Sequence, residues 1–76
     1  MMQYFEFKQE NVYWFWEITL DDRVVRTRYG QKGTDGVIIE KVFQDPDMAT
    51  QEYDRLAEEK KKDDSFYFIL GDSYRL

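Results

Sequence analysis

The run "VYWFWEITL", residues 12 to 20, constrains this chain more than any other stretch. It is dense in aromatic and β-branched side chains, which suit a pleated strand better than a helix. Read at period two, Val12, Trp14, Trp16, Ile18 and Leu20 fall on one face, and Tyr13, Phe15, Glu17 and Thr19 on the other. The first set is apolar throughout, so it is expected to face the core. Asp21-Asp22 then reads as a tight turn, since Asp tolerates the backbone angles that hairpins need. "RVVRTRY" reads as the returning strand, with Val25, Thr27 and Tyr29 on one face and Val24, Arg26 and Arg28 on the other.

The rest of the chain fits around that hairpin. "QYFEF" alternates and reads as a short edge strand, broken by "KQEN". "VIIEKVF", residues 37 to 43, is a further β-branched run with apolar residues on both faces, so periodicity leaves open which face is buried. A single helix is predicted near residues 46 to 62. Asp45 supplies the cap, Pro46 suits the first helical position, and Asp47 complements the positive end of the dipole. Ala49, Tyr53 and Leu56 form its apolar stripe, and Lys60, Lys61 and Lys62 sit where cations are favoured. Glu58 and Glu59 precede them, and the mixed run reads as a solvated helix end. "SFYFIL" predicts a last strand, and "GDSYRL" either a frayed tail or a return onto the sheet. The expected fold is therefore α+β: an antiparallel sheet of four to five strands with one α-helix packed on one face.

Seventy-six residues make one domain, 1–76, and such a domain is only marginally stable without staples. Cysteine is absent, so the core must come from side chains alone, and two Trp, six Tyr and six Phe supply it. No apolar run approaches the roughly 18 to 20 residues of a membrane-spanning helix, and "MMQYFEFKQE" lacks the basic flank of a signal peptide. The expectation is a cytoplasmic protein that does not engage a membrane.

Residue chemistry argues against an enzyme. Histidine and cysteine are both absent, and Ser65 and Ser73 have no candidate base at matching spacing. The adjacent acidic pairs point apart on a strand or helix, and no glycine-centred calcium loop is present. No catalytic residue, metal ligand or cofactor is expected. A net charge of −5 also argues against a general polyanion binder, but its distribution is uneven. Residues 23 to 41 carry Arg23, Arg26, Arg28, Lys32 and Lys41 against Asp35 and Glu40, a local +3, which leaves −8 elsewhere. That basic island surrounds "TRYGQKGTDG", whose glycines suit either a plain hairpin or a small cradle of backbone N–H groups for one phosphate. The loop has neither the spacing nor the following helix of a dinucleotide or Walker fingerprint.

Taken together, "YWFWEITL", "VVRTRYGQKGTDG", "EKVF" and "DPDMATQEYDRLAEEK" resemble a WGR domain. This family is named for a Trp-Gly-Arg tripeptide at a strand end. It is found in DNA-dependent poly(ADP-ribose) polymerases and in bacterial molybdate-metabolism-regulator-like proteins. Trp16 and Ile18 match its strand core positions, and Arg28 the basic residue before the tripeptide. Gly33, Thr34 and Gly36 match its hairpin, Lys41 and Phe43 a Lys-x-Phe pattern, and Ala49, Tyr53 and Leu56 the helix stripe. The tripeptide itself reads Tyr29-Gly30-Gln31, and the family's Lys-Gly-Tyr after the helix is not evident in "KKKDDSFYF". In the polymerases the tripeptide's Trp and Arg touch the sugar-phosphate backbone at a DNA end. The resemblance, the local +3 and the glycine loop together point to a non-catalytic nucleic-acid-binding module using Arg26, Arg28, Tyr29, Gly30, Gln31 and Lys32, with DNA or RNA as partner. Tyr29 keeps an aromatic face but loses the indole N–H, and Gln31 loses the cationic fork that suits phosphate. The alternative is a protein-interaction or accessory module using an exposed aromatic face such as Tyr13 and Phe15.

Overall fold

The computed structural model describes residues 1–71 of the chain. Residues 72–76, and with them most of the expected tail "GDSYRL", lie outside the described residues. The elements run β1 (Met2–Gln9), β2 (Val12–Asp21), β3 (Val24–Gln31), β4 (Val37–Val42), α1 (Pro46–Lys62) and β5 (Tyr67–Gly71). All strand pairings are antiparallel, and the sheet order is β4-β3-β2-β1-β5. The α+β architecture expected from the sequence is what the chain forms.

Three local readings need correction. The first segment is not an edge strand: β5 returns from the helix to pair with β1, which places β1 inside the sheet. Alternation reports which face a residue occupies and says nothing about how many neighbours a strand acquires. Nor does "KQEN" break that strand. Lys8 and Gln9 still pair with Tyr13 and Val12, and the turn is Glu10-Asn11, with Glu10 at φ 57°. The second turn also shifts by one residue. Asp21 stays in β2 opposite Val24, and Asp22 at φ 55° makes the turn with Arg23.

The core lies between α1 and one sheet face. Phe5, Trp16, Ile18, Val25, Ala49 and Tyr53 form it, with Leu20, Phe43, Leu56 and Phe66 packed at its margin. Asp45 caps the helix as expected, its Oδ1 accepting from the Met48 N–H at 2.9 Å. The buried stripe is Ala49, Tyr53 and Ala57, whereas Leu56 is only half-buried. Gln3 joins this face and donates from Nε2 to the Tyr53 hydroxyl at 3.2 Å.

The expected inward face of β2 holds only in part. Trp16 and Ile18 are buried, but Val12, Trp14 and Leu20 are half-buried, and Phe15 on the opposite face is 3% exposed. Phe15 is covered without a second helix. The Tyr4 ring stacks on it at 6.1 Å, and the Arg28 guanidinium lies 4.6 Å from its centroid. An exposed Tyr13–Phe15 aromatic face is therefore not available, although Tyr13 itself is exposed. For β4 the open question has a plain answer: all six residues are exposed, because α1 packs chiefly over β2 and β3.

Candidate nucleic-acid interface

The strand-end tripeptide closes β3. Tyr29 pairs with Trp16 and Gln31 with Trp14, so both lie on the face that carries the helix. Gly30 pairs with Phe15 on the opposite, open face. There the following loop folds back onto the strand. A Cβ on Gly30 would stand 2.8 Å from the Gly36 Cα. A Cβ on Gly36, at φ +74°, would stand 2.5 Å from the Tyr29 carbonyl oxygen. Both glycines are thus explained by close backbone approach. The hairpin reading of these glycines stands.

The basic residues of the segment also have local employment. Arg28 Nε bonds Glu17 Oε1 at 3.0 Å, while its Nη1 donates to the Asp35 carbonyl at 3.1 Å and its plane covers Phe15. It anchors the loop. Arg26 Nε meets Glu40 Oε2 at 2.6 Å, and Lys32 Nζ meets Glu6 Oε2 at 3.1 Å. The three cations all lie on the open face, each opposite a carboxylate, and two of those acids come from outside the basic segment. The local surplus seen in the sequence is offset by Glu6 on β1 and Glu17 on β2. Tyr4 donates to the same Glu6 at 2.9 Å, and burial together with that bond holds its phenol above the usual range.

Of the six residues expected to act together, the sheet therefore separates Arg26, Arg28 and Lys32 from Tyr29 and Gln31. What Tyr29 does join is a cleft of about 310 Å³ on the helix face, walled by Phe7, Trp14, Trp16 and Phe66. Lys60 reaches over it from the last turn of α1, with Nζ 5.0 Å from the Trp16 ring and 4.8 Å from that of Phe66. Among the described residues it faces these rings and no carboxylate. An adjoining hollow of about 250 Å³ shares Trp16, Tyr29 and Lys60 and adds Thr27, Ile39, Lys41 and Leu56. Lys60, Phe66 and Phe7 were missed as site residues. In the sequence Phe7 and Phe66 read as strand residues and Lys60 as part of a solvated helix end, and nothing local says that these segments meet.

The WGR domain model matches residues 1–66. The chain belongs to the WGR domain family. A WGR domain is a small non-catalytic module, often one that binds nucleic acid. A crystal structure of a Bacteroides fragilis protein, a structural-genomics target, is similar over 92% of this chain at 30% identity, with a TM-score of 0.83. The WGR chain described here spans only 20% of the length of that protein. No curated protein matches it significantly. Among the described residues, no group of acidic side chains could hold a metal ion. No described helix is long and apolar enough to cross a membrane.

Proposed function

We propose that this WGR domain is a non-catalytic module that contacts the sugar-phosphate backbone of a nucleic acid through the strand end Tyr29-Gly30-Gln31. One observation carries this reading: the strand end opens onto an aromatic cleft lined by a cation, Lys60, that is turned toward rings. A cation that faces rings is available to a phosphate without first breaking an ion pair. Arg28 and Arg26 act from the other side, holding the loop and the edge strand. In this reading Gln31 supplies a neutral amide where a guanidinium would bind more strongly.

The test is a salt-dependent titration against DNA and RNA duplexes and single strands. Wild type is expected to bind weakly, with a slope reflecting only a few phosphates. Gln31→Arg is expected to strengthen binding by about 1.5 kcal/mol, roughly tenfold. An unchanged Gln31→Arg affinity across the panel removes the strand end from the interface.

A protein-interaction module is the second reading, and β4 supports it. The Phe43 N–H donates to the Arg23 carbonyl, so odd-numbered β4 residues bond β3, and Ile38, Glu40 and Val42 direct their backbone groups outward. Val37, Ile38 and Val42 are more than half exposed beside that free edge. An edge of this kind accepts an added strand.

A further inference from the structure

The aromatic cleft has a shape and chemistry that the strand end alone does not explain. We propose that it receives one unpaired nucleobase, which makes single-stranded nucleic acid the ligand class of this domain. The inference rests on the sugar-phosphate reading above and specifies what occupies the cleft beside that contact.

Three features select a base over an aliphatic side chain or an intact duplex. The walls are ring systems from four different segments: Phe7, Trp14 with Trp16, Tyr29 and Phe66. Phe7 and Trp14 are already stacked on one another at 6.2 Å and 15°, so they present a fixed platform for a further flat ring. Stacking of this kind tolerates every base, because each has a π face. The cleft's volume, about 310 Å³, sits at the lower limit of small-ligand sites, room for one flat heterocycle and not for a paired stack. The cations also lie where a strand would run. Lys60 lines both the cleft and the adjoining hollow, and Lys41 also lines that hollow. Lys41 is only loosely held, with Nζ 3.8 Å from Glu52. A groove that pairs aromatic platforms with spaced cations is how single strands are held without reading sequence. A base inside a duplex would have to leave its stack to enter, at a cost of a few kcal/mol that a single strand does not incur.

Lys60 would move when the base enters. In the free domain its ammonium covers Trp16 and Phe66, and its flexible stem lets it swing outward to the phosphate that follows the base. That exchange couples base entry to a charge contact at the same residue.

The chain's two tryptophans, Trp14 and Trp16, both line this cleft, so intrinsic fluorescence reports its occupancy directly. The experiment titrates the domain at low salt with three probes of equal length: a thymidine decamer, an abasic deoxyribose-phosphate decamer and a blunt duplex. The decamer is expected to quench tryptophan emission to a plateau, and the abasic strand to bind at least about fivefold more weakly, since one stacked base is worth that much. Lys60→Gln, which removes the charge over the Trp16 and Phe66 rings and keeps a polar side chain there, is expected to lower the salt slope by about 0.7, one phosphate on a single strand. If the abasic strand binds as tightly as the decamer, or the duplex binds more tightly than either, the cleft takes no base and the backbone contact stands without it. If none of the three binds, the sugar-phosphate reading falls as well.

Discussion

Trp16 has its indole packed against Phe5, with ring centroids 5.8 Å apart, and the Lys60 ammonium 5.0 Å from its ring. It is 8% exposed and belongs to the core cluster, yet it also floors both hollows beside Tyr29. Removing it takes away core and platform together. Trp16→Ala is expected to cost about 3 to 5 kcal/mol, enough to unfold much of a domain this size. Urea denaturation checks it, and near wild-type stability would show that the indole is not an anchor of the core. The loop glycines make a finer comparison. Gly36→Ala must place a Cβ against the Tyr29 carbonyl and the Phe15 ring at a positive φ, whereas nothing stands within 4 Å of a Cβ at Gly33. Both carry the strain of a left-handed backbone, roughly 1 to 2 kcal/mol, but only Gly36 adds a collision. Gly36→Ala is therefore expected to lower the melting temperature clearly more than Gly33→Ala does.

At the scale of elements, α1 is held at its start by a cap and in its middle by charge. Asp45→Ala removes the acceptor for the Met48 N–H and is expected to cost about 1 kcal/mol by chemical denaturation. Glu52 pairs with Arg55 on the helix at 2.8 Å and reaches Lys41 on β4 at 3.8 Å. The hydrogen bond from Arg55 holds the Glu52 carboxyl below its usual value, more than burial raises it. A depressed carboxylate stabilises the fold above its unfolded pKa and loses that contribution as pH falls through the folded one. The domain is expected to lose stability on acidification below about pH 4.5, near the carboxylate's ordinary pKa. In Glu52→Gln the part of that loss due to this residue is absent. A pH series of melting curves on both proteins makes the comparison.

For the whole molecule, the sheet is a partition with different chemistry on its two faces. On the open face, Glu40–Arg26, Arg28–Glu17 and Lys32–Glu6 tie β4, β3, β2 and β1 together across the strands. On the helix face, Lys60 looks over aromatic rings. Substitutions on the two faces should then separate stability from binding. Arg28→Gln loses the Glu17 and Asp35 contacts and is expected to lower stability modestly, by about 1 kcal/mol, while leaving nucleic-acid affinity within about twofold. Lys60→Gln is expected to do the reverse. Paired melting and anisotropy measurements on the two variants decide it, and a binding loss confined to Arg28→Gln would place the interface on the open face.

What the amino-acid order determined by itself is the part of the structure written in local chemistry. Period-two alternation from Val12 to Leu20, the Asp45-Pro46 cap and the four- and three-residue spacing of Ala49, Tyr53 and Leu56 each act within one or two turns of backbone. With the other strand runs they were enough to yield the element order and the α+β class, while the family resemblance, with Tyr-Gly-Gln in place of Trp-Gly-Arg, rests on the order of the motifs along the chain. Only the tertiary structure decided who neighbours whom. It placed β1 inside the sheet, because β5 arrives there from beyond the helix. It buried Phe15 under Tyr4 and Arg28, and it met the cations of residues 26 to 32 with acids that include Glu17 on the adjacent β2 and Glu6 on β1. It also gathered Phe7, Trp14, Trp16, Tyr29, Lys60 and Phe66 around one cleft. Those contacts depend on strand pairing and helix docking, which join residues far apart in the chain, and no local periodicity encodes such a meeting.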